Sequence, residues 1–131
     1  MRFPLRISSH PDEPAKALII RRCHENGLSN VRDGWNFVDC SAERIWAGAD
    51  LSRVAKACGA SLDSLAWVTP QRVGHRARVF GQPFRHHEIH RRIRRWCAAC
   101  LREAAYHRSA WDVRALRFCA AHGQPLSVKS H

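Results

Sequence analysis

Apolar residues at helical spacing between positions 15 and 66, glycines at the helix stops, and two Cys/His pairs of matching spacing near residues 97–122 predict a mostly α fold. The expected architecture is a small helical domain with a helix-turn-helix-like hairpin over residues 1–70, a basic connector over 71–85, and a basic helix plus zinc-ribbon or zinc-finger module over 86–131. A chain of 131 residues has room for one small core and for a metal-stapled module too small to fold on apolar burial alone.

The first helix is signalled by Asp12 as cap, Pro14 in the first turn, and Ala15, Leu18, Ile19 and Cys23 on one face; Gly27 ends it. Turn formers Asn30, Asp33 and Gly34 follow, and Trp35, Phe37, Val38 and Trp46 are expected in aromatic core contacts. Asp50 caps a helix bearing Leu51, Val54, Ala55 and Cys58, which Gly59 stops. Ser61 caps a second, bearing Leu62, Leu65 and Ala66, and Thr69-Pro70 closes the pair. This spacing is that of a helix-turn-helix, but the second helix offers Asp63 and Ser64 and no Arg or Lys for base edges. It reads more readily as a core-forming hairpin.

Gly74, Gly81 and Pro83 among Arg72, Arg76, Arg78 and Arg85 give residues 71–85 the character of a mobile basic connector. His86–Trp96 then reads as a basic helix, with Ile89, Ile93 and Trp96 on one face and Arg91, Arg92, Arg94 and Arg95 over much of the rest.

The net charge of +11 is unevenly distributed. Residues 1–65 carry nine Lys/Arg against eight Asp/Glu, and residues 66–131 carry thirteen against three. An excess of arginine points to a polyanion, DNA above all, contacted by Arg72, Arg76, Arg78, Arg85, Arg91, Arg92, Arg94 and Arg95. No apolar stretch is long enough to cross a bilayer, and Met1-Arg2-Phe3-Pro4 does not lead into a secretory signal, so a cytoplasmic protein is expected.

In a reducing compartment cysteines point to metal before disulfides. Cys23, Cys40 and Cys58 stand among apolar neighbours and are expected as buried thiols. Cys97-Ala98-Ala99-Cys100 and Cys119-Ala120-Ala121-His122 are two knuckles separated by 18 residues, and ligands three apart converge on one ion through a tight turn. Three thiolates and an imidazole suit one structural Zn2+ per chain, with no coordination position left for an activated water. Trp111, Val113 and Ala115 alternate with Asp112 and Arg114 as in a short strand; Leu101, Trp111, Phe118 and Leu126 are expected around the metal. His86, His87 and His90 invite an HNH-type nuclease reading, but Glu88 is the one acid beside them, and there is no phosphate loop, paired-carboxylate site or nucleophile motif. A non-enzyme is expected.

Several stretches resemble TniQ-type transposition proteins. They are Pro11-Asp12-Glu13 and Asn26-Gly27-Leu28-Ser29 around the first helix, the Gly59-Ala60-Ser61 hairpin, Trp96-Cys97-Ala98-Ala99-Cys100-Leu101, Tyr106 to Trp111, and Cys119-Ala120-Ala121-His122-Gly123-Gln124-Pro125-Leu126. Ala98 and Ala120 depart from the Pro that such proteins often carry after the first Cys of a knuckle. The resemblance implies a non-catalytic adaptor in bacterial transposon targeting, with DNA, an AAA+ ATPase, a transposase or an RNA-guided complex as partners. It also implies zinc ligands at Cys97, Cys100, Cys119 and His122. The alternative is a stand-alone zinc-containing helix-turn-helix regulator that binds an operator alone as a homodimer.

Overall fold

The computed structural model describes Phe3 and residues 9–28, 30–91 and 93–130. Among them are six α-helices, five strands and two short 3-10 helices, so the chain carries more strand than a mostly α fold implies. Ser29, part of the family-like opening, and Arg92 lie outside the described residues.

Helix α1 (Ala15–Glu25) starts from Pro14, whose fixed φ suits a helix start; Asp12 is not its cap. Gly27, at φ +76°, takes the chain out of it. Helix α2 (Val31–Phe37) is capped by Asn30, whose side chain accepts from Arg32 N–H at 2.9 Å. It absorbs Asp33 and Gly34, two expected turn formers. Gly34 lies so close to α1 that a Cβ there would stand 1.9 Å from Cys23 Sγ, and this absence of a side chain lets the two helices meet. Helix α3 (Ala42–Trp46) follows, capped by Ser41. Helices α4 (Leu51–Cys58) and α5 (Leu62–Val68) form the hairpin read from the sequence, with Gly59 at φ +68° between them and Ser61 capping α5. Asp50 occupies the N-cap position of α4 as expected, but its side chain makes no capping hydrogen bond, because its carboxylate takes the Arg44 guanidinium.

Leu18, Ile19, Val54, Cys58 and Leu65 form the centre of the helical core, with Trp35 and Phe37 packed at its edge. Cys23 and Cys58 are buried as expected, whereas Cys40 is half-buried. Two charges enter this core. Glu13 takes a forked contact from Arg21 at 2.7 and 2.9 Å, and Arg22 reaches Glu25 at 2.8 Å and the Cys58 carbonyl at 3.3 Å.

Residues 71–85 are not a loose connector. They form an antiparallel sheet of β1 (Gln71–Val73), β2 (Arg76–Val79) and β3 (Gln82–Arg85) in the order β1-β2-β3. Both loops have two residues. Phe80 and Gly81 have φ of +56° and +70°, the left-handed pair that matches hairpin twist. The strain at Phe80 is offset by its N–H, which donates to the Trp67 carbonyl at 2.7 Å. Ala77 and Val79 point inward, packing with Ile89, Val113, Trp46 and Phe84 in a second small core.

The expected basic helix over 86–96 does not form. His86–Glu88 is a single 3-10 turn, and Ile93–Trp96 is strand β4, paired antiparallel with β5 (Ser127–Ser130). The expected strand at Trp111 is likewise a 3-10 turn, Ser109–Asp112, followed by a single Val113–Ile89 bridge. Ser109 locks this turn to the helices, its N–H donating to Asp12 O at 2.8 Å and its hydroxyl to Val68 O. Tyr106 adds a hydrogen bond to Asp12 at 2.7 Å and stacks on His10 at 3.7 Å between centroids.

Candidate metal centre and basic surface

Cys97 is the N-cap of helix α6 (Ala98–Glu103) and Cys100 lies in its first turn. A helix start therefore sets the first Cys pair, where a tight turn was expected. The second pair does occupy a turn: Gly123 N–H donates to Cys119 O at 2.7 Å, and Cys119 N–H donates to Gln124 O at 2.8 Å. Gly123 sits at φ +65°, where a side chain is strained. The β4–β5 ladder ends with Trp96 opposite Ser127, beside Cys97, and so brings the two pairs together.

Cys97, Cys100 and Cys119 place their Sγ atoms 3.6, 3.3 and 3.5 Å from His122 Nδ1, and Cys100 Sγ is 3.4 Å from Cys119 Sγ. All four donor atoms lie within 4.8 Å of one another. A tetrahedron with metal–sulfur bonds of about 2.3 Å and metal–nitrogen bonds of about 2.0 Å has edges of about 3.4–3.8 Å. The donor set therefore has the size and the chemistry to hold a zinc-like ion, and the three thiols are buried. Burial raises the Cys119 thiol, but hydrogen bonds with the side chain and backbone of His122 outweigh it and bring the group down to about 6. Burial and the neighbouring Cys119 and Cys97 push Cys100 up to about 12.

His122 Nε2–H donates to Glu103 Oε1 at 2.7 Å, and this contact, with Cys119 on the other side, lifts the imidazole to about 9. The carboxylate fixes the ring so that Nδ1 faces the thiols. Glu103→Ala is expected to weaken metal binding by about 10- to 100-fold. Competition with a chromophoric chelator measures it, and an unchanged affinity would reduce Glu103 to a surface acid. Trp111 is buried beside the cluster, with Leu101 and Leu126 partly buried, but Phe118 is 61% exposed and does not cover the site as expected.

The eight arginines of the sequence pattern do not share one surface. In antiparallel register Arg78 stands opposite Gln71 and Pro83, and Arg76 opposite Val73 and Arg85, so Arg76, Arg78 and Arg85 occupy the outer face of the sheet. None of these three has an ion-pair partner among the described residues. Like charges directly opposite weaken a sheet. Arg72 is exposed and donates to Gly74 O at 3.3 Å, and Arg94 is exposed on β4. Arg91 pairs with Glu43 at 3.1 Å and lies 4.2 Å over the Trp46 ring. Arg95 is turned inward, only 5% exposed, and donates to the Trp111, Val113 and Leu116 carbonyls at 2.7 Å each; a strand alternates its side chains, so Arg94 and Arg95 cannot share a face. His86, His87 and His90 join no cluster of metal-ligating side chains among the described residues.

The family model described as TniQ matches residues 4–126. The chain belongs to the TniQ family. No curated protein matches it. The TniQ match takes in all four donors and the whole β1–β3 sheet. Sequence reasoning missed Glu103 and the sheet. The alternation Arg76-Ala77-Arg78-Val79 between Gly74 and Gly81 was the available signal for the sheet; Glu103, on an exposed helix end, had none.

Proposed function

We propose that this TniQ-family chain is a non-catalytic adaptor of bacterial DNA transposition, cytoplasmic, that contacts DNA through its sheet and is held folded by one zinc ion. The family match over residues 4–126 supports the transposition role, and with it an AAA+ ATPase, a transposase or an RNA-guided complex as protein partners. Among the described residues no helix is long and apolar enough to cross a membrane. Zinc at Cys97, Cys100, Cys119 and His122 has its four positions filled by protein and supplies folding energy, with none left for an activated water.

The unpaired charge of Arg76, Arg78 and Arg85 supports the DNA contact; Arg72, which stands opposite Ala77 and so on the other face of the sheet, and Arg94 on β4 are exposed and serve as further phosphate ligands away from this face. Arg91 is already engaged by Glu43 and Trp46, and Arg95 is internal. Helix α5 presents exposed Asp63 and Ser64, so the contact is with phosphates and largely indifferent to sequence. Replacing Arg76, Arg78 and Arg85 together by Ala is expected to flatten the dependence of log affinity on log salt by roughly two to three units, at about 0.9 per phosphate released. Arg53→Ala, which removes an exposed arginine paired with Asp39, serves as the control and leaves the slope unchanged. A triple variant with the wild-type slope removes the sheet from the DNA contact.

A further inference from the structure

Of the five tryptophans Trp67 alone is exposed, at 57% of its surface. It is nevertheless held. A Cβ at Gly81 would lie 2.8 Å from its ring edge, so the indole rests directly on the backbone of the β2–β3 turn. The ring lines an open groove of about 620 Å³ between α5 and the sheet, with Asp63, Gln71, Arg72, Val73 and Arg78 also on its walls. The outer sheet face continues from the groove at Arg78 to Arg76 and Arg85.

We propose that this groove takes an unpaired nucleotide, its base stacked on the Trp67 indole and its flanking phosphates on Arg76, Arg78 and Arg85. The proposal rests on the reading of the sheet as a DNA contact and specifies the form of nucleic acid. Arg76 and Arg78 are two residues apart on a strand, which separates them by about 6.7 Å, the scale of neighbouring phosphates in an extended polynucleotide. A duplex can satisfy the arginines but not the tryptophan, because its base faces are already stacked; only a base turned out of a helix, or a single strand, presents a free face to an indole. Asp63 argues against an acidic protein segment as occupant. Its carboxylate repels acidic side chains entering the groove, whereas a base is neutral and can donate an exocyclic or ring N–H to it. The phosphates then lie on the arginine side, away from Asp63.

The test measures binding of the zinc-loaded whole chain to a labelled oligothymidylate and to a fully paired hairpin of equal charge, by fluorescence anisotropy at low salt. Trp67→Ala is expected to weaken oligothymidylate binding by about ten-fold, leave the hairpin within about two-fold, and be largely rescued by Trp67→Phe. No loss on oligothymidylate, or an equal loss on both ligands, overturns the stacking site while the DNA reading survives through the arginine triple variant. If the wild-type chain binds neither ligand, both readings fall. Polyglutamate bound more tightly than oligothymidylate, and dependent on Trp67, gives the groove to an acidic protein and also overturns the proposal.

Discussion

Stripping the metal with a chelator, or replacing Cys119 by Ser, is expected to unfold residues 97–126 while the helical core of α1, α4 and α5 survives. The buried cluster at the site consists of three cysteines and Trp111, with Trp96, Ala99, Leu101 and Leu126 only partly covered. Ordering a residue's backbone costs about 1–2 kcal/mol, and so small a cluster cannot offset that over 30 residues. Zinc sites in small peptides contribute about 10–16 kcal/mol at neutral pH, a large share of what this segment needs. The helical core has its own buried set, from Leu18 to Leu65, and needs no ion. It loses the Ser109 and Tyr106 contacts to Asp12 and Val68, so a lower melting temperature is expected for it, but not unfolding. Cys23→Ala, in that core, costs a few kcal/mol at most and leaves metal content unchanged. Elemental analysis is expected to return one zinc per chain, and limited proteolysis of the stripped protein to cut within 97–126. A metal-free chain with a protected C-terminal half sinks the idea.

What could be read in the sequence follows a physical division. The four donors were legible because a ligand pair three residues apart is local, and two such pairs carry the same spacing. Helices α1, α4 and α5 were legible because their apolar spacing, Gly27 and Gly59 agree on bounds. Strand β4 was not: Ile89, Ile93 and Trp96 fit a helical face as well as Ile93-Arg94-Arg95-Trp96 fits an alternating strand, and a stretch this short is decided by its partner. That partner, Ser127–Ser130, is more than thirty positions away. Residues 71–85 were misread for a different reason. Their glycines and arginines suggest solvent and mobility, yet the two-residue spacing between Val79 and Gln82 was a hairpin signal outweighed by composition. Trp67 was singled out by no local signal, because it stands exposed in a groove that exists only once β1 and β2 have paired. Counting arginines along the chain found the basic half but could not tell a phosphate ligand from a structural cation.

Arg95 makes that distinction measurable, because Arg95→Met is expected to destabilise the chain by about 3–5 kcal/mol with no change in the salt dependence of DNA binding. Its guanidinium is buried, and among the described residues no carboxylate is in hydrogen-bond contact with it. It instead donates to three carbonyls, those of Trp111, Val113 and Leu116, and so ties the segment before Cys119 to β4. Burial pushes the group down from the usual arginine range, with Asp112 opposing the shift. Methionine fills much of the volume but offers no N–H, and leaves the buried Trp111 and Val113 carbonyls and the partly buried Leu116 carbonyl without their donor. Arg94→Ala, one residue away and exposed, is expected to change stability by no more than about 0.5 kcal/mol. Urea denaturation of the zinc-loaded variants measures the difference, with metal content checked on each. A stable Arg95→Met whose salt slope drops by about one unit would place Arg95 back among the phosphate ligands and mean that the β4 face opens when DNA binds.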